Sequence, residues 1–193
     1  ALVAALVNGR GHLMVEKLAA RLPKQPRSRM HPDELPADAG DAEVVVIGMG
    51  RVGISAYDRL RNDYGFKVLG VDYDAARVQV HVTEGRHVVL GDATDLDFWN
   101  RMTSSDAVRI AVLAMHEHGA NVTALDCLRE SGFDGEVATV ARYQDEVRMA
   151  SENGVGIAFN LFSGAGLELA DQIARDAGRA PKPSAVIVDG GAA

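Results

Sequence analysis

Gly48-Met49-Gly50-Arg51-Val52-Gly53 is a G-x-G-x-x-G, a spacing whose chemistry is the capture of a phosphate by backbone rather than by side chains. Gly48 permits a tight turn, Gly50 lets a pyrophosphate approach the backbone, and Gly53 lets the following helix pack closely on the preceding strand. A phosphate held there rests on the N–H groups of a helix N-terminus, where the peptide dipoles favour negative charge. Asp72 follows about 20 residues downstream, where a carboxylate accepts hydrogen bonds from both ribose hydroxyls and repels a 2′-phosphate. The pair predicts the ribose of NAD or AMP rather than that of NADP.

A second cluster, Gly91-Asp92-Ala93-Thr94-Asp95, follows a third apolar run. Asp92 can accept from an adenine amino group, since open α/β sheets bind ligands at the carboxyl ends of their strands. Equally, Thr94-x-x-Asp97 has the form of a capping box, which would make this a helix start and nothing more. His116-x-His118 offers two rings without a third partner, which predicts a loop or ligand contact rather than a metal site. Arg142 either meets an anion in the same crevice or pairs with Asp145 or Glu146. Cys127 sits in a helical pattern between Leu125 and Leu128 and reads as a packing residue.

These residues need a frame, and the apolar pattern supplies one. Glu43 to Ile47 is a β-branched run of the kind buried on both faces of a parallel sheet. Five similar runs follow: Lys67 to Asp72, His87 to Leu90, Arg109 to Met115, Glu136 to Arg142 and Ile157 to Leu161. Between them, Gly53, Tyr57, Leu60 and Tyr64 share a helical face, as do Leu96, Trp99 and Met102, or Val122, Leu125 and Leu128. Helices from Asp145 to Asn153 and from Gly166 to Ala177 are expected to stop at Gly154 and Gly178. Val78, Val80 and Val82 alternate as in a strand. However, Tyr73 to Arg86 is the only chain available for a crossover between the second and third parallel strands, so the stretch is assigned as helix. The expected fold is α/β: a doubly wound, Rossmann-like sheet of about six parallel strands with helices on both faces.

Around that domain, placed at 43–178, the sequence suggests a helical extension over 1–22, a Pro- and Asp-rich linker over 23–42 and a tail over 179–193. The extension reads equally as the remnant of an excised segment. Its apolar opening, Ala1 to Val7, is far shorter than the roughly 20 residues a membrane span requires, and no direct membrane insertion is expected. The formal charge of −7 excludes a broad cationic surface for nucleic acid or anionic lipid. With one cysteine there is no intramolecular disulfide, which suits a reducing, cytoplasmic compartment.

The VVVIGMGRVG opening, Asp72 with Asp74, EGRHVVLGDATD and FNLFSGAG together resemble the KTN domain (RCK or TrkA-N type) that regulates potassium channels, Trk systems and Kef-type efflux, over about 41–178. The resemblance is closest to Kef-type glutathione-regulated potassium-efflux proteins, although their glutathione-binding residues have no match here. It implies a cytoplasmic homodimer at the inner face of the cell membrane, in which AMP, ATP or NAD(H) shifts the dimer geometry and so gates a membrane potassium transporter or antiporter domain. By position it assigns phosphate to the loop from Gly48 through Met49, Gly50, Arg51 and Val52 to Gly53. Ribose falls to Asp72 beside Tyr73, the adenine edge to Asp92, Ala93 and Thr94, and the ligand border to Met115 and His116.

Such a sensor needs no catalytic residue, and no enzyme is expected. A small NAD-dependent oxidoreductase shares the first half of the fold, but none of Tyr57, Tyr64, Tyr73 or Tyr143 starts the Tyr-x-x-x-Lys of short-chain dehydrogenases, and a separate substrate domain does not fit the length. A third possibility is an assembly module that holds nucleotide purely for stability.

Overall fold

Alternate residues of a strand point to opposite faces, and the first strand uses both. Val44 and Val46 pack on one side of the sheet and Val45 and Ile47 on the other, all four buried. A computed structural model describes residues 39–103 and 107–180. Strands β1 (Val44–Ile47), β2 (Val68–Asp72), β3 (Val88–Leu90), β4 (Ile110–Leu113), β5 (Glu136–Ala141) and β6 (Ile157–Asn160) alternate with helices. These are α1 (Arg51–Asn62), α2 (Ala75–Thr83), α3 (Leu96–Met102), α4 (His118–Glu130), α5 (Gln144–Glu152) and α6 (Leu161–Asp176). The six strands are all parallel, in the order β3-β2-β1-β4-β5-β6.

This is the expected doubly wound, Rossmann-like sheet. Helices cover both faces: Tyr57, Ile54 and Leu60 of α1 and Val78 of α2 join Val44, Val46 and Val68, whereas Phe98, Trp99 and Met102 of α3 and Leu125 and Leu128 of α4 join Val45, Ile47 and Leu113. The chain winds one way from β1 to β3 and the other way from β4 to β6. A crevice therefore opens where the carboxyl ends of β1 and β4 lie side by side.

Residues Ala75–Thr83 are indeed helical, with Val80 and Val82 exposed and His81 turned inward. Three boundaries differ from expectation, the first being β4, which stops at Leu113 rather than Met115. Tyr64 leaves the α1 face, because the helix ends at Asn62 and the Tyr64 ring lies exposed beside Arg59. The last helix starts at Leu161 rather than Gly166, since the Asn160 side chain accepts from the Ser163 N–H (2.9 Å) and caps it five residues earlier; Leu161 is accordingly helical and not the end of β6. α5 and α6 end at the C-caps Asn153 and Ala177, each followed by a glycine in the left-handed region, Gly154 and Gly178, as expected. Ala39 and Ala42 are buried in the core. The suggested extension over 1–22, the linker up to residue 38 and the tail from 181 lie outside the described residues.

Candidate functional site

The glycine loop links the end of β1 to the start of α1 by a turn that requires glycine at positions 48 and 53. Gly48 has φ +89°, and a Cβ on it would stand 2.9 Å from the backbone of Met115, so the loop lies directly against the end of β4. A Cβ on Gly53 would meet the Gly48 carbonyl oxygen at 2.0 Å, which is how closely α1 sits on the turn. Gly50, the N-cap of α1, faces open space. Among the described residues, no protein acceptor takes the N–H groups of Gly50, Arg51, Val52 or Gly53, and the first turn of α1 carries no acidic side chain. Unpartnered amides at the positive end of a helix dipole, with room before them, fit a phosphate.

Asp72 ends β2 beneath this loop, with its side chain wholly buried. Oδ2 accepts from the Met49 N–H (2.8 Å) and Oδ1 from the Asp74 N–H (3.0 Å). The Arg77 guanidinium reaches both oxygens, at 3.1 and 2.9 Å. Those bonds to Asp72 hold the Arg77 pKa above the ordinary arginine value. The Met49 carbonyl is pinned from its other side by buried His81, whose Nε2 lies 3.0 Å away and must carry the hydrogen, because a carbonyl only accepts. Arg86 Nη1 lies 3.4 Å from the other ring nitrogen, and Nη2 of the same guanidinium pairs with Asp58 of α1 at 2.8 Å, which tethers α1 to the chain after α2.

The end of β4 is held in the same way. Buried Asn121 of α4 accepts from the Met115 N–H (3.1 Å) and donates to the Met115 carbonyl (3.0 Å). Together these walls enclose an open cleft of about 1,020 Å³ over the carboxyl ends of the strands, large enough for a dinucleotide.

Of the residues singled out from sequence, Gly48, Met49, Gly50, Arg51 and Val52 line the floor of this cleft, while Gly53 lies just below it. Asp72 and exposed Tyr73 form one end. Asp92, Ala93 and Thr94 border the same half, and Met115 and His116 stand at the crossing to the other. The Met49 side chain is buried against Gly70, so it offers the cleft only its backbone.

The two readings of Asp92 divide. Its Oδ1 accepts from the N–H and hydroxyl of Thr94, at 2.9 and 2.7 Å, and closes the turn. The Thr94-x-x-Asp97 capping box is not what starts α3: the cap is Asp95, which accepts from the Asp97 N–H (2.9 Å). Arg142 does not pair its guanidinium with Asp145 or Glu146. It donates to the His116 carbonyl, while its backbone N–H donates to Glu146 (2.6 Å). Among the described residues no group of three His, Cys, Asp or Glu can hold a metal ion. Burial pushes the Cys127 thiol up, which suits a packing role.

Arg77, His81 and Asn121 were not anticipated. Asp-x-Asp-x-x-Arg, running from a strand end into the first turn of a helix, was the available signal for Arg77. Nothing in the local pattern marks His81, which acts on a backbone group 32 residues away, or Asn121, which reaches back across a loop to the end of β4.

A family model described as the TrkA-N domain matches residues 44–161. Among solved structures, the NAD(P)-binding domain of an exopolyphosphatase-related protein from Archaeoglobus fulgidus is 22% identical, with TM-score 0.64 over 69% of this chain and 98% of that one. The AMP-bound form of the Shewanella denitrificans Kef CTD is 15% identical, with TM-score 0.57 over 71% and 82%. The GsuK channel bound to NAD is 17% identical, with TM-score 0.55 over 81% of this chain and 28% of that one. No curated protein matches the chain. At these identities the structural likeness speaks for the fold.

Proposed function

The chain belongs to the TrkA-N domain family, and from that premise we propose that it binds an adenine nucleotide, AMP, ATP or NAD(H), in the strand-end cleft and acts as a regulatory sensor rather than an enzyme. The observation that carries this reading is the set of amides of Gly50 to Val52, unpartnered in a cleft that ends at a buried carboxylate. Similar folds described as bound to AMP and to NAD support the ligand class. In this reading phosphate rests on the loop, the ribose meets Asp72 beside Tyr73, adenine lies along Asp92 to Thr94, and Met115 and His116 border the ligand. Backbone donors and a carboxylate select and hold the nucleotide, and no step of chemistry is asked of them.

A sensor also needs an output. We place it in a homodimer whose geometry shifts with the ligand and so gates a membrane potassium transporter or antiporter domain, covalently attached or separate, at the cytoplasmic face of the cell membrane. Among the described residues no helix is long and apolar enough to cross a membrane. Support for the dimer comes from α6, none of whose residues is buried: Phe162, Leu169 and Ile173 form an exposed apolar stripe on it, beside exposed Ile157 and Phe159 of β6. An apolar face of this kind is characteristic of a protein interface.

The chain is expected to sediment as a dimer, and Leu169→Glu with Ile173→Glu to sediment as a monomer with unchanged circular dichroism. Small-angle scattering of the wild-type dimer should change on adding AMP or NADH. A wild-type monomer contradicts the dimer, and identical scattering with and without bound nucleotide leaves an assembly module in place of the sensor.

A further inference from the structure

The proposed reading makes Asp72 the ribose acceptor, yet its carboxylate has no accepting capacity left. Oδ2 takes the Met49 N–H and Arg77 Nη1, and Oδ1 takes the Asp74 N–H and the same Arg77 nitrogen, at 2.8 to 3.1 Å. A carboxylate offers about four lone-pair sites, and four contacts fill them. A ribose diol can therefore bind only by exchange. The two backbone donors are built into the glycine loop and the start of α2. Arg77 is not fixed in this way: its side chain is 40% exposed at the cleft. Its second terminal nitrogen already lies 3.7 Å from Oδ2 of Asp74, a carboxylate that is 41% exposed.

We propose that Arg77 is a latch on Asp72 that the ribose diol opens, the guanidinium passing to Asp74 while Asp72 takes the two hydroxyls. The exchange leaves no buried charge unpaired, because each carboxylate ends with donors and the cation moves only toward solvent. It makes Arg77 a specificity-determining residue. A nucleotide with a cis-diol works against the latch, whereas one without it leaves the latch shut. The inference rests on the adenine-nucleotide reading above.

Calorimetric titration of wild type, Arg77→Met and Arg77→Lys with AMP and with 2′,3′-dideoxy-AMP tests it. AMP should bind Arg77→Met about tenfold more tightly than wild type, the lower end of the scale of one charge-assisted bond no longer displaced, and dideoxy-AMP should bind both within about twofold. Arg77→Lys, with one compact ammonium in place of a planar fork, should fall between them. If Arg77→Met fails to fold, the Arg77→Lys comparison alone decides in the same sense. Weaker binding of AMP by the variants, or equal changes for AMP and dideoxy-AMP, overturns the latch and leaves the nucleotide site standing. If none of the three proteins binds AMP, ATP or NAD(H), the nucleotide reading falls and the latch with it.

Discussion

Asp72→Ala is expected to destabilise the domain by about 2–4 kcal/mol, because two backbone amides are left without their acceptor at about 1–3 kcal/mol each, while the half-exposed Arg77 can turn to solvent. The Met49 and Asp74 amides and Arg77 all lose their acceptor at once, and the Met49 amide lies in the phosphate loop itself. Nucleotide affinity should fall about tenfold, the lower part of the roughly 1.5–3 kcal/mol range for hydrogen bonds to a charged group, since in the intact protein the ribose must first displace Arg77. Denaturant unfolding and titration with AMP on the same preparation check both numbers. Unchanged affinity in a folded variant would place the ligand elsewhere.

The second large effect separates two glycines that look alike in the motif. Gly53→Ala puts a Cβ 2.0 Å from the backbone oxygen of Gly48, so α1 and the turn must move apart, at about 3 kcal/mol for an overpacked contact. Gly50→Ala meets no protein atom within 4 Å, and its stability should stay within about 0.5 kcal/mol of wild type. Its methyl group instead occupies space in front of the unpartnered amides, so nucleotide binding should be lost from a protein that melts normally. Thermal melts with and without AMP make the comparison. A Gly50→Ala protein that still binds AMP would show that the phosphate does not rest on this loop.

Much of this arrangement was legible because it depends on local periodicity. A β-branched run, three glycines, a helical face and an acid at the next strand end each read directly from neighbouring residues, and together they place the cleft. Topology resolved the one ambiguous stretch, since parallel β2 and β3 require a crossover whatever the spacing of Val78, Val80 and Val82 suggests. The start of α6 was obscured because Ser163, Gly164 and Gly166 are poor helix formers, and only the Asn160 cap reveals that the helix runs through them. The Asp92 segment has the form of a ligand edge or a cap, and the cap is Asp95, one residue beyond the expected threonine. Arg77 had a local signal in Asp-x-Asp-x-x-Arg, but His81 and Asn121 are hidden for a different reason. Their partners are fixed by how α2 and α4 dock on the sheet, which no spacing within a single element encodes.

The central claim is that an adenine nucleotide binds at the glycine loop with its ribose on Asp72. Titration of the purified chain with AMP, ATP, NAD, NADH and NADPH in parallel, after confirming that no nucleotide co-purifies, tests it most directly. Micromolar binding of AMP, ATP or NAD(H), with NADPH much weaker, is the predicted result; no binding of any of the five would contradict it.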